Sequence, residues 1–137
     1  MTELITLLHE GGFSCVVRNS ENVRTFTKRG VADLFELVTT KPDFLQGSSI
    51  ADKVIGKGAA ALMVKGEVQS VYADVISKPA LDLLRSADID VRYSEVVSHI
   101  INRAGTGICP VEQRCLPLAE VDDMVAAIRE FIAAMQS

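Results

Sequence analysis

The run from Asp52 to Leu62, Asp-Lys-Val-Ile-Gly-Lys-Gly-Ala-Ala-Ala-Leu, limits what this chain can fold into more than any other stretch. It reads as the opening turns of a buried helix, with Ile55, Ala59, Leu62 and Met63 as the apolar face and Lys65-Gly66-Glu67 as the stop. Two starts fit the loop Gln46-Gly47-Ser48-Ser49 before it. Either Ser49 is the N-cap with Asp52 at the third helical position, or Asp52 is itself the cap. Gly56 and Gly58 then fall inside the helix, where each costs about 1 kcal/mol relative to alanine. Nothing local offsets that cost. A ligand or another backbone that must come close would explain them, and so would tight packing against a strand.

A chain of 137 residues, 48% of them hydrophobic, is expected to form one domain over residues 1–137 with a packed core. The formal net charge of −4 and the absence of tryptophan give neither the basic stripe nor the stacking platform that nucleic-acid binding needs. Met1-Thr2-Glu3-Leu4 shows no basic segment followed by an apolar run, and no segment approaches the roughly 18 apolar residues of a membrane helix. Cys15, Cys109 and Cys115 leave an odd thiol and no paired spacing, which favours reduced cysteines. The expectation is a soluble, cytoplasmic protein with no membrane or nucleic-acid partner.

Along the chain, Leu4, Ile5 and Leu8 suit a short helix ending at Gly11-Gly12, with His9 flanking its end. Phe13 to Arg18 and Val23 to Thr27 form a hairpin about the turn Asn19-Ser20-Glu21-Asn22, with Cys15 and Val17 on one face. Val31, Leu34, Phe35 and Val38 have helical spacing, stopped by Pro42. Val68 to Ile76 reads as a strand covered on both faces. Ser77-Lys78-Pro79 starts a helix that turns Leu81, Leu83 and Leu84 inward, and Ile89 to Tyr93 is a strand. Together these make a βαβ unit with a parallel pair. Ser94 to Ile101 reads as a short helix or bent segment, and Ala104-Gly105-Thr106-Gly107 as a loop. Leu118, Val121, Met124, Val125, Ile128, Phe131, Ile132 and Met135 then trace a single apolar stripe along a C-terminal helix.

This order resembles the cytidine-deaminase-like fold, an α/β three-layer helix–sheet–helix sandwich with a mixed sheet. In active deaminases the glycine- and alanine-rich helix opens with His-x-Glu. The helix after the next strand opens with Pro-Cys-x-x-Cys, and these residues hold zinc. Here Gly56-Lys57-Gly58 and Pro79-Ala80-Leu81-Asp82-Leu83 stand in their place. The resemblance therefore implies the architecture without zinc-dependent deamination, and no cofactor or metal is expected. The fuller pattern is similar to a small family of uncharacterised prokaryotic proteins on that fold, through Asp52-Lys53, Gly56-Lys57, Asn102-Arg103, Cys109-Pro110 and Glu112. Since the deaminase fold often self-associates, the resemblance also implies a homodimer.

Lys53 and Lys57 are four apart and would share one side of the helix near its start. There the positive end of the helix dipole and unpaired N–H groups attract phosphate or carboxylate. The plainer reading is two solvated lysines. Arg103 offers a planar fork for an anion or for an ion pair with Glu112, and Asn102 can hold a loop or touch a ligand. Cys109 precedes Pro110, the first residue of a helix from Pro110 to Cys115. At that N-cap a thiol pKa falls, although free cysteines are commonly buried and inert. Cys15 reads as core. Cys109 and Cys115, six apart, would lie about 120° from one another around a helix and make a poor metal pair. Neither His9 nor His99 has a ligand-spaced partner.

Two functions follow. One is a metal-free deaminase-fold protein binding a small anionic, nucleotide-like metabolite through Asp52, Lys53, Gly56, Lys57, Asn102 and Arg103. The other is a zinc-independent enzyme with Cys109 as nucleophile or redox group and Glu112 as proton carrier or orienter. A structural subunit acting through its C-terminal helix is the third reading.

Overall fold

The predicted hairpin is present, and it starts a sheet that extends well beyond it. In the computed structural model, which describes residues 1–28, 30–102 and 104–136, β1 (Cys15–Asn19) pairs antiparallel with β2 (Asn22–Phe26). On its other side β1 pairs antiparallel with β3 (Ser49–Ile55). Strands β3, β4 (Ser70–Ser77) and β5 (Asp90–Val97) run parallel, so the sheet is mixed, in the order β2-β1-β3-β4-β5.

Side-chain alternation along β1 divides the interior, as the two-residue period of a strand requires. Val16 meets Leu4 and Leu8 of α1 (Thr2–Glu10) together with Ala51. Val17 turns to the other face and joins the main core with Ile50, Ala60 and Leu84. Helix α1 thus covers one face of the sheet, while α4 (Lys57–Lys65) and α5 (Lys78–Ser86) cover the other. The expected three layers are there. Helix α2 (Ala32–Thr40), α6 (Pro110–Cys115) and α7 (Val121–Gln136) pack around α4. This explains the alanines: Ala59 through Met63 are all buried between helices and sheet, where larger side chains would hold the layers apart.

Two expectations are corrected. Residues 52–55 are strand, not helix. Asp52 stands opposite Cys15 on one side and Ala73 on the other, and Ile55 stands opposite Ile76. The β-branched Val54 and Ile55 suit that role. The chain passes from strand to helix through Gly56 alone, which carries an apparent helical spacing across two elements. Lys53 and Lys57 therefore share no helix face. Second, β5 continues through Ser94 to Val97, with Glu95 opposite Val75 and Val97 opposite Ser77. Its side chains are mostly exposed, so no apolar rhythm marks it. Pro42 stops α2 as expected, and it also opens the short α3 (Pro42–Leu45), which buries Leu45.

Besides the predicted βαβ unit of β4, α5 and β5, the sheet contains a second one, β3-α4-β4. Helix α5 buries Leu81 and Leu84 and leaves Leu83 half-buried. In α7 the deepest residues are Met124, Val125 and Ile128, while Met135 is 72% exposed. Among the described residues, no helix is long and apolar enough to cross a membrane.

Candidate functional site

Gly56 is the N-cap of α4, in an extended conformation that any residue can adopt. What it supplies is room. A Cβ there would lie 3.3 Å from Ile100 Cγ1 and 3.6 Å from the Glu112 carboxyl group. At Gly58 a Cβ would meet Val111 Cγ1 at 2.5 Å. Close packing accounts for Gly58, and the partners are side chains of α6 and α7 rather than a strand.

Glu112 is 1% exposed, an environment in which a carboxylate must be fully paired. Its Oε1 accepts the Lys57 backbone N–H at 3.0 Å and the Ser77 hydroxyl, and its Oε2 accepts the Ile100 N–H. The first of these fills the positive end of α4. Glu112 therefore orients: it ties α6 to the starts of α4 and α5. With both oxygens engaged it is poorly placed to carry protons. Ser77, which sequence reasoning read only as a helix start, caps α5 by accepting the Ala80 N–H at 3.3 Å while it donates to Glu112.

The Lys57 ammonium turns away from that junction. It donates to the carbonyls of Leu116 at 2.9 Å and Leu118 at 2.8 Å, where the chain leaves α6 and carbonyls lack helical partners. Lys57 is a half-buried structural cation. It borders a smaller recess of about 330 Å³ with Pro79 and Leu118, not the larger cavity that Glu112 reaches.

That cavity, about 780 Å³, lies between the end of β3, the segment from β2 to α2, α6 and α7. Asp52, Lys53, Gly56, Asn102, Cys109 and Glu112 all reach its wall. Arg103 lies outside the described residues. Asn102 is committed to its own loop: Oδ1 accepts the Thr106 N–H at 3.1 Å and Nδ2 donates to Thr106 Oγ1 at 3.2 Å. Cys109 is half-buried at the N-cap of α6 and makes no capping bond through its side chain. Burial pushes the pKa of the neighbouring Cys115 thiol up.

Sequence reasoning missed Cys15 as a wall residue. It sits across the β1–β3 ladder from Asp52, a relation visible only once the register is known. Burial pushes the Asp52 carboxyl up to about 7, against the lowering effect of the Val54 N–H that it accepts at 3.2 Å. Burial also raises the Cys15 thiol well above its ordinary value, and the nearby Asp52 adds to the effect. At the outer face His9, in the last turn of α1 as expected, bonds Asp74 at 2.7 Å. Asp74 also accepts the Tyr72 hydroxyl, and that bond holds the phenol up to about 12.

Among the described residues, no three His, Cys, Asp or Glu side chains gather into a metal-binding group. The profile of a family described as TM1506, a domain of unknown function (DUF1893), matches residues 3–132. The fold is similar to the crystal structure of a DUF1893 family protein (TM1506) from Thermotoga maritima. The TM-score is 0.87 and the identity 23%, over 94% of this chain and 87% of that one. No curated protein matches the sequence.

Proposed function

The chain belongs to the DUF1893 family, which brings a fold and no activity, and on that premise we propose that it is a metabolite-binding protein on a deaminase-like scaffold without the zinc centre. The cavity carries this reading. Its volume of about 780 Å³ is in the range of small-molecule sites, and a mainly apolar wall with a few polar groups is the usual composition of one.

The deaminase-like part rests on the two helix starts at the ends of adjacent parallel strands. Gly56, Lys57 and Gly58 open α4, and Pro79 and Ala80 open α5. None of these side chains suits zinc. The carboxylate of Glu112 joins the two starts instead, through the Lys57 N–H and Ser77. Zinc does not fit these residues.

The ligand is a small molecule with an apolar body and an anionic group. With Lys57 and the α4 N-terminus engaged internally, the anion falls to Lys53 and Lys28 on the cavity wall. Neither has an ion-pair partner among the described residues. Phenyl phosphate is a suitable probe. It is expected to raise the melting temperature of the protein, since a ligand that binds only the folded state stabilises it. Lys53→Ala is expected to lose that rise and Lys57→Ala to keep it from a lower starting point. Equal responses of wild type and Lys53→Ala would refute the assignment.

A second reading is favoured by one observation, the half-buried Cys109 thiol on the same wall. There Cys109 is the nucleophile and Glu112 holds the start of α6 that presents it. Alkylation of Cys109 that phenyl phosphate fails to slow would count against both readings of the cavity.

A further inference from the structure

Asp52 has an acceptor's chemistry and, among the described residues, no cation paired with it. Its Oδ1 accepts the Val54 N–H, and the donors that ease its charge, two backbone N–H groups and the Cys15 thiol, are all neutral. Among the described residues no lysine, arginine or histidine forms an ion pair with it. Asp52 is half-buried on the cavity wall, and a carboxylate partly withdrawn from water gains from being paired or neutralised. The carboxyl can be neutralised by a proton or by a cationic group arriving from the cavity. We infer that the part of the cavity beside Asp52 is a subsite for a nitrogen cation bearing N–H donors, such as an amidine, with Asp52 as its counter-ion. This rests on the metabolite-binding reading and completes it: apolar in its body, the ligand meets Lys53 and Lys28 with its anionic end and Asp52 with its basic end.

The surroundings of Asp52 select the same charge. Cys15 faces it across the β1–β3 ladder, and Asp33 of α2, Glu112 and Cys109 line the same cavity; Asp74, on the other face of the sheet beside His9, adds a smaller repulsion. All of these are acidic or neutral. Among the described residues the cations on that wall are its neighbour Lys53 and Lys28, which belong to the strand end and the segment after β2. In a low-dielectric interior several carboxyl groups disfavour a further anion and favour a cation. A planar donor group also suits a carboxylate geometrically, through paired N–H···O bonds.

Binding of such a cation is linked to loss of the proton that otherwise neutralises Asp52, whose carboxyl titrates at about 7. Affinity is therefore expected to rise about tenfold between about pH 6 and about pH 8, following the ionised fraction of the carboxyl. Benzamidine, a cation throughout that range on an apolar ring, is the probe. The full-length wild type and the Asp52→Asn variant are titrated by heteronuclear NMR across the range. Asn keeps the size of the side chain and removes its charge, and Asp122→Asn, which removes an exposed carboxylate beside Lys65 and outside the cavity, serves as the control.

The expected result is saturable benzamidine binding that tightens with pH in wild type and Asp122→Asn, with shifts around Asp52. In Asp52→Asn binding should be weakened and independent of pH. Binding to Asp52→Asn equal to that of wild type overturns the inference, as does wild-type binding with no pH dependence. If benzamidine fails while phenyl phosphate still binds through Lys53, the Asp52 subsite is wrong and the metabolite-binding reading stands. If neither probe binds, both fall.

Discussion

Replacing Glu112 by alanine tests how the two helix starts are held. The carboxylate is 1% exposed and accepts from Lys57 N–H, Ser77 Oγ and Ile100 N–H. Alanine leaves all three donors facing a void. The Ser77 hydroxyl can rotate, so the uncompensated cost falls on two backbone N–H groups, each about 1–3 kcal/mol. Adding the space vacated inside a packed core, the loss is expected to be about 3–5 kcal/mol. That is a large share of the roughly 5–15 kcal/mol that stabilises a domain, and a melting temperature lower by about 10–15 °C. Glu112→Gln separates charge from shape. Its amide has one acceptor oxygen, so only one of the two backbone donors keeps a partner, and the cost should be about 1–3 kcal/mol. Urea unfolding of both variants gives the numbers, and acetate provides the sharper check. A free carboxylate can enter the space left in Glu112→Ala and accept the orphaned N–H groups, so acetate should stabilise that variant more than it does wild type, with chloride as the control. If Glu112→Ala unfolds within about 0.5 kcal/mol of wild type, a size typical of an unimportant surface change, the carboxylate holds nothing and the reasoning is wrong.

Gly58→Ala places a methyl group 2.5 Å from Val111 Cγ1. Valine is stiff about χ1, so overpacking of about 1–3 kcal/mol should outweigh the helix-propensity gain of about 1 kcal/mol, and Val111→Ala in the same chain should recover part of the loss. Lys57→Met removes the donor to the Leu116 and Leu118 carbonyls; a loss of about 1–2 kcal/mol is expected by thermal unfolding, with benzamidine affinity unchanged. For Asp52, the folded pKa of about 7 exceeds the ordinary 3.8. The folded protein therefore holds that proton longer than the unfolded chain, and stability falls as pH rises from about 3.8 to about 7. Asp52→Asn should accordingly gain on wild type above neutrality, by a few kcal/mol at most, and lose that advantage below about pH 4; urea midpoints across the range measure it.

Local periodicity made much of this fold legible. The hairpin, the helix stops at Gly11 and Pro42, the β4-α5-β5 unit and the α7 stripe each announce themselves through patterns within one contiguous stretch of chain. Strand β3 did not, for a physical reason. A strand that enters a helix through one residue puts Ile55 and Ala59 four apart, and the period of 3.6 is read across a junction that does not obey it. The cavity wall was found in part. Asp52, Lys53, Gly56, Asn102, Cys109 and Glu112 reach it, because unusual residues in helix starts and glycine loops tend to gather at one end of an α/β sheet. The rest depends on contacts that no local pattern encodes. Lys57 finds its carbonyls 59 and 61 residues away, Ser77 finds Glu112 across 35, and Cys15 meets Asp52 through strand pairing alone.

The use of Glu112 at the start of α4 bears on what binding can do to this protein. Had the helix N-terminus been left for an external anion, its N–H group would be unpaired in the empty protein, and the domain would depend on its ligand for part of its stability. An internal carboxylate removes that dependence and fixes α6 whether or not the cavity is filled. Ligand binding is then coupled to stability only by mass action, RT ln(1 + [L]/Kd), and not by completion of the fold. The contrast with Asp52 is chemical. Both Glu112 oxygens are held by groups from three other segments, so that carboxylate belongs to the scaffold. Asp52 takes its donors from its own strand and from Cys15 across the ladder, ties no elements together beyond that pairing, and keeps acceptor capacity for a guest. Of the two, only Asp52 should therefore report a guest by NMR. Its carboxyl resonance should lose its titration near neutrality when benzamidine is bound, while that of Glu112 stays as it was.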